Sequence, residues 1–295
     1  MFNPNLKQLI SQGVYIAVLI ALAIFLYQLG SKPWLLAAGH WPTLLVIMAA
    51  TGSGIVVQAA SFRKSYPAGK IPLSIIETSR IWAASAVISV VAPVFAGLAT
   101  RTTLLIKAGT PLTTCILAST RQLWMGLEYS ALIGGVAIFF VDIPSAGYLS
   151  VVLLLLWGLM TIARQLAVTK GDGDDSIGDS NRFTVSLRSS YPQSAHIWFV
   201  LQLVLMSTVF YVAFQGVGAN LHWDEAFTLS AITVFISLIA FVPNGLGITD
   251  AVWIVVAMQT GLTLESSVSL AILIRIGHLT SALLIYLALR VTCTD

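Results

Sequence analysis

Hydrophobic residues run along this chain in long blocks separated by short polar breaks, with little of the strict alternation that marks half-buried strands. Long stretches carry no charge, among them 13–29, 41–60, 81–100, 197–220 and 226–249. At ~1.5 Å rise per residue, about 20 residues match the ~30 Å hydrocarbon core of a bilayer. The pattern predicts an all-α, polytopic helical membrane protein. Full spans are expected at 13–29, 41–60, 126–141, 147–166, 197–217 and 267–289. Two further regions, 81–123 and 226–262, are apolar but interrupted. Each reads as two full spans or as a re-entrant pair of half-helices, which allows up to ten hydrophobic helices.

Composition sharpens this. The chain is 57% hydrophobic and 9% charged, against about 25% charged in soluble domains, so a soluble fold is excluded. The net charge of +3 is small and sits mostly beside apolar runs, so it speaks to topology and gives no reason to expect nucleic acid as a partner. Segment 61–80 carries Arg63, Lys64, Lys70 and Arg80 against Glu77, and segment 164–196 carries Arg164, Lys170, Arg182 and Arg188. In contrast, 142–148 holds Asp142 alone, and 221–225 holds Asp224 and Glu225 with no Lys or Arg. The positive-inside bias places the first two segments in the cytoplasm and the last two outside. With Lys7 and Arg290 also inside, both termini are expected to be cytoplasmic.

Three smaller features complete the organisation. No small-x-small cleavage pattern follows the first apolar run closely, so it reads as a retained span. Cys115 and Cys293 suggest no disulfide framework. The Gly-, Asp- and Ser-rich stretch 169–183 lacks the Gly and terminal Glu positions of a calcium loop and reads as a flexible connector. The chain is therefore expected to be one transmembrane domain over 1–295, with a first half at 1–166, a cytoplasmic connector at 167–196 and a second half at 197–295.

The two interrupted regions share a set of landmarks. "SVVAPVFAGLATR" places Pro93, Gly97 and Arg101 after an apolar run; "SLIAFVPNGLGITD" places Pro243, Gly247 and Asp250 after another, with Gly245 between. Gly109 and then Arg121 follow Pro93, as Gly261 and then Arg275 follow Pro243, in the same order and at comparable spacings. With the first region entered from the cytoplasm and the second from outside, this is an inverted repeat. Paired Gly/Pro-interrupted segments in inverted halves point to a transporter's binding site near the midplane. Pro removes an amide donor and Gly lets the backbone turn. The freed backbone groups cannot face lipid, so such breaks line protein or a wet cavity. The resuming helix N-terminus also favours an anion.

A charge at mid-bilayer costs at least ~2.5–3.5 kcal/mol, so intramembrane charges usually face the bundle interior. Arg101, Arg121, Glu128, Asp250 and Arg275 lie in apolar surroundings, with His278 one turn after Arg275. Arg275 reads either as half of an ion pair with Asp250 or as a phosphate ligand, since its planar fork suits both. Arg101 and Arg121 read as snorkelling anchors or as further phosphate ligands. Asp250 could cap the helix that resumes at "AVWIVV", pair with an arginine, or take part in proton or substrate chemistry. His278 reads as a satisfied interior histidine on the substrate-facing side. Trp34, Trp41, Trp82, Tyr148, Trp198 and Trp223, at the ends of apolar runs, read as interfacial belts. No P-loop, metal-ligand cluster, cofactor motif or nucleophile–base pair is recognisable, and the scattered acids argue against an enzyme.

At "VPNGLGITD", "AILIRIG" and "APVFAGLATR" the chain resembles the transmembrane region of lysylphosphatidylglycerol synthases, also found as stand-alone flippase-like integral membrane proteins. The likeness is diffuse and covers most of residues 10–290. Pro243, Gly245, Gly247 and Asp250 match a late Pro-x-Gly-x-Gly-x-x-acid motif, Arg275 matches a family arginine in the next helix, and Pro93, Gly97 and Arg101 match an early Pro-x3-Gly-acid-x-x-Arg motif. The late acid is usually Glu, and Leu98 replaces the early acid. No polar region long enough for the aminoacyl-transferase domain of bifunctional members is present. The resemblance implies a bacterial inner-membrane protein that moves an anionic phospholipid or lipid-linked glycan between leaflets. Arg101, Arg121, Asp250, Arg275 and His278 would bind the substrate, and Pro93, Gly97, Pro243, Gly245 and Gly247 would break the helices. Its partner would be a membrane lipid, with self-association open. A secondary transporter of a small soluble anion and a non-catalytic accessory subunit of envelope glycan-lipid assembly are the alternatives.

Overall fold

A computed structural model describes residues 39–64, 73–91, 94–138, 146–169, 193–239 and 248–291. The expected span at 13–29, most of the connector, and Pro93, Pro243, Gly245 and Gly247 lie outside the described residues. Within them the chain is entirely helical: α1 (Trp41–Lys64), α2 (Ile75–Val91), α3 (Val94–Lys107), α4 (Leu112–Ile138), α5 (Ala146–Thr169), α6 (Gln193–Gly216), α7 (Trp223–Ile239), α8 (Ile248–Gln259) and α9 (Leu264–Val291). Among these, α1, the stretch His196–Gly216 of α6 and Leu264–Arg290 of α9 are long and apolar enough to cross a bilayer. The protein is a helical membrane protein.

Local chemistry sets the helix ends. At α2, Ser74 and Glu77 form a capping box: the Ser74 amide donates to Glu77 Oε2 at 2.7 Å, and the Glu77 amide donates to Ser74 Oγ at 3.2 Å. At α9 the Ser266 amide donates to Thr263 Oγ1 at 3.2 Å, an N-cap contact. Helices α3, α6 and α8 close on Gly109, Gly218 and Gly261, with φ of 88°, 84° and 90°. Around Gly109 the Thr110 amide donates to the Leu105 carbonyl at 3.0 Å, and around Gly261 the Leu262 amide donates to the Ala257 carbonyl at 3.2 Å. Both are the Schellman closure that only glycine adopts without strain.

Helices α1–α4 and α6–α9 follow the same order of lengths, with α5 unmatched among the described residues. Each set has a helix of 24 residues (α1, α6), one of 17 (α2, α7), a short helix (14 residues in α3, 12 in α8), a glycine turn and a long helix (27 residues in α4, 28 in α9). The halves are also interleaved. Helix α1 packs along α6 at the centre, α2 of the first half packs on α9 of the second, and α7 of the second packs on α4 of the first. Exchanging the halves maps the α2–α9 contact onto α7–α4.

One expected boundary is corrected. The sequence predicts an interrupted region running to residue 123 and a separate span at 126–141, yet α4 is continuous from Leu112 to Ile138. Arg121 and Glu128 lie in this stretch. They are buried inside the helix, at 4% and 5% exposure, and Glu128 Oε1 accepts from Thr161 Oγ1 of α5 at 3.1 Å. A charge that finds partners on a neighbouring helix leaves the backbone ladder intact.

Helices α2 and α3 run antiparallel, since Gly97 sits beside Ser85 and Ser89 while Arg101 lies over Trp82. By their residue counts they are about 26 Å and 21 Å long, short of a ~30 Å hydrocarbon core. A Cβ on Gly97 would collide with the Ser89 side chain and come within 3.0 Å of the Ser85 carbonyl oxygen. Gly97→Val is therefore expected to cost about 1–3 kcal/mol by overpacking. Unfolding of the purified protein by a denaturing detergent should shift to lower denaturant, and an unshifted midpoint would contradict this packing.

The outer surface is apolar. On α5, Val151, Val152, Leu155, Leu159 and Ile162 are all exposed, forming a stripe that matches lipid. Trp41 and Trp223 are exposed at the starts of α1 and α7, as an interfacial belt requires.

Candidate functional site

Between the two halves lies a cavity of about 480 Å³ whose wall draws on every described helix except α5. Hydroxyl and amide groups stud it, including Thr51, Gln58, Ser85, Gln122 and Gln202. Among the described residues that line it there is no Asp or Glu, whereas Arg101, Arg275 and His278 are present. Three of the five residues expected to bind substrate thus meet at one cavity.

Arg101 stands on α3, one turn beyond Gly97. Its guanidinium carbon lies 4.2 Å above the Trp82 ring and 6.0 Å from the Phe62 ring. Its Nε is buried without a hydrogen-bond partner among the described residues. The aromatic faces favour a cation there by ~0.5–2 kcal/mol, less than a lone guanidinium loses when withdrawn from water. The side chain is held in place with its donors unspent. The sequence predicts Trp82 in an interfacial belt. It is instead 3% exposed and forms the platform beneath Arg101, because α3 folds back along α2 and covers it.

Arg275 stands on α9 and is tied down. Its Nε donates to Asp250 Oδ1 at 2.9 Å, and its Nη2 donates to Asp250 Oδ2 at 3.0 Å and to Thr249 Oγ1 at 2.8 Å. This is a bidentate fork-to-carboxylate pair. The guanidinium carbon is 5.0 Å from the Trp253 ring, whose Nε1 donates to Thr233 Oγ1 at 3.0 Å. Asp250 lies in the first turn of α8, where the helix dipole favours a carboxylate. Both its oxygens are engaged by Arg275, so of the three roles open to it, pairing is the one its geometry displays. The pair joins α8 to α9.

His278, one turn beyond Arg275, lines the cavity beside it. Arg121 does not join them: it is buried in α4 at 4% exposure and is not among the residues that line the cavity, although Thr120 and Gln122 beside it are. Two turns further along α4, Glu128 Oε1 accepts from Thr161, and the Tyr129 hydroxyl meets His196 Nδ1. Phe199 lines the cavity and packs on Tyr129 with ring centroids 5.3 Å apart. The early arginines therefore divide: Arg101 lines the cavity and Arg121 does not.

Trp253 and the cavity amides escaped the reading of the sequence. Trp253 could have been found, since it falls three positions after Asp250 on the same helix face. Gln58, Gln122 and Gln202 gave no signal distinguishable from ordinary polar residues in membrane helices. Among the described residues, no group of three or more His, Cys, Asp or Glu could hold a metal ion. No protein-family model matches the chain, and no curated protein matches it in sequence.

Proposed function

We propose that this protein carries the anionic head group of a lipid between the two leaflets of the membrane. The observation that carries this reading is Arg101: a cation held over Trp82 inside a cavity whose described wall includes no carboxylate, with its Nε unpartnered. An anion completes that site, and phosphate is the anionic group common to membrane lipids that an arginine fork recognises best. A volume of about 480 Å³ holds a head group but not two acyl chains. Leu98 and Leu123 are at once cavity wall and exposed apolar surface, so chains could remain in the bilayer while the head group enters.

The repeated order of helices and glycine turns in the two halves suits an inverted repeat around the cavity, with α2–α3 and α7–α8 as re-entrant hairpins. In this reading both termini are cytoplasmic, and the membrane is a bacterial inner membrane. The resemblance to the membrane region of lysylphosphatidylglycerol synthases points the same way. Native mass spectrometry of the purified protein tests it: a phosphate-bearing lipid should co-purify, and Arg101→Gln should lose it. A wild-type protein free of lipid would overturn the reading. The cavity's modest volume favours a second reading, a transporter of a small soluble anion. Uptake of inorganic phosphate into protein-containing vesicles would establish that instead.

A further inference from the structure

The two arginines at the cavity are not equivalent, and the difference fixes how much charge the site can accept. Arg275 spends Nε and Nη2 on Asp250 and Thr249, so the pair contributes no net charge. Arg101 has neither an ion pair nor a hydrogen bond among the described residues. At a pH well above the ordinary imidazole value of about 6.5, the described residues of the cavity wall present one uncompensated positive charge, and the rest of the polar wall consists of uncharged hydroxyls, amides and an imidazole.

Resting on the reading above, we infer that Asp250 is the specificity-determining residue for substrate charge. By occupying Arg275 it makes the cavity a site for a singly charged phosphodiester and excludes a doubly charged phosphomonoester. A dianion seated at Arg101 would leave one negative charge without a counterion in a site of low dielectric, where an unpaired charge is costly. A monoanion is matched. Arg275 borders the cavity and Asp250 does not, so removing the carboxylate releases a second cation toward the substrate. Asp250→Asn converts the site to one that prefers the dianion. In Asp250→Asn/Arg275→Gln both charges are gone and the single charge of Arg101 is left, so the original preference returns.

The test compares the affinities of the purified full-length protein for phosphatidylmethanol and phosphatidic acid of identical chains, by native mass spectrometry. A parallel arm uses dimethyl phosphate and inorganic phosphate. The pH is held at about 8.5, well above the second ionisation of a phosphomonoester near 6. Wild type should favour the diester by about tenfold or more, the equivalent of one charge-assisted contact. Asp250→Asn should reverse the order and the double variant restore it, while Arg101→Gln should weaken both ligands. The order appearing with the lipids alone, or with the soluble pair alone, supports the inference equally and identifies the source of the phosphate. A wild type with no preference overturns it, whether or not Asp250→Asn folds, and so does a double variant that orders the ligands as Asp250→Asn does. Binding is read without transport, so the order holding in a protein that moves no lipid would sink the transport reading alone. Lipid movement with no such order would sink this inference alone.

Discussion

Arg101→Gln is expected to abolish lipid movement while leaving the fold as stable as wild type or more so. The two halves of that result have separate causes. A hydrogen-bonded contact to a charged group contributes ~1.5–3 kcal/mol, so losing the cavity's uncompensated cation should weaken anion binding by about 10- to 100-fold. Stability moves the other way, because Arg101 has no carboxylate partner among the described residues to strand. An unpaired charge at membrane depth costs ~2.5–3.5 kcal/mol, which exceeds the ~0.5–2 kcal/mol from stacking over Trp82 and Phe62. Denaturing-detergent titration and ligand affinity, measured on the same preparations, check the two halves together. A variant that loses binding and melts lower would make Arg101 a structural residue.

Arg275→Leu should show the opposite balance and be the most destabilising of the changes considered. It removes the fork from Asp250 and Thr249 and the cation from Trp253, leaving a carboxylate at 15% exposure without its arginine. Breaking one side of such a pair costs about 3–5 kcal/mol, and the residual exposure places this one near the lower end of that range. Asp250→Asn should cost less than half as much, because the arginine it frees faces the cavity and retains Thr249. A double-mutant cycle over both positions should return a coupling energy of about 1–3 kcal/mol. Equal losses from the two single changes would contradict this difference between an arginine left at the cavity wall and a carboxylate left without its partner.

How far the sequence foretold this site depends on what kind of signal each residue left. The pairing of Asp250 with Arg275 was legible as one of two alternatives, since a carboxylate and an arginine embedded in apolar sequence have few other ways to be satisfied. Gly109 and Gly261 were legible as corresponding landmarks, and both adopt positive φ in the same turn, because no other residue type sits there without strain. The division between Arg101 and Arg121 was not legible. In a helix that is apolar all round, 3.6-residue periodicity does not say which face meets the cavity and which a neighbouring helix. Trp82 misled for a related reason: an aromatic at the edge of an apolar run looks the same whether a headgroup region or a folded-back helix lies over it. The α4 boundary was not legible because the apolar pattern thins around Arg121 and Glu128, and the partner of Glu128, Thr161, is distant in sequence and brought alongside only by α5.

On the proposed function, the cavity between the halves moves an anionic lipid from one leaflet to the other. The most direct measurement is leaflet translocation of a labelled phosphodiester lipid in vesicles containing the purified protein, against protein-free vesicles and vesicles containing Arg101→Gln. Wild-type vesicles should expose the labelled lipid to an external quencher far faster than protein-free ones, with Arg101→Gln close to the protein-free rate. A wild-type rate equal to that of empty vesicles, or an Arg101→Gln rate equal to wild type, would contradict the claim.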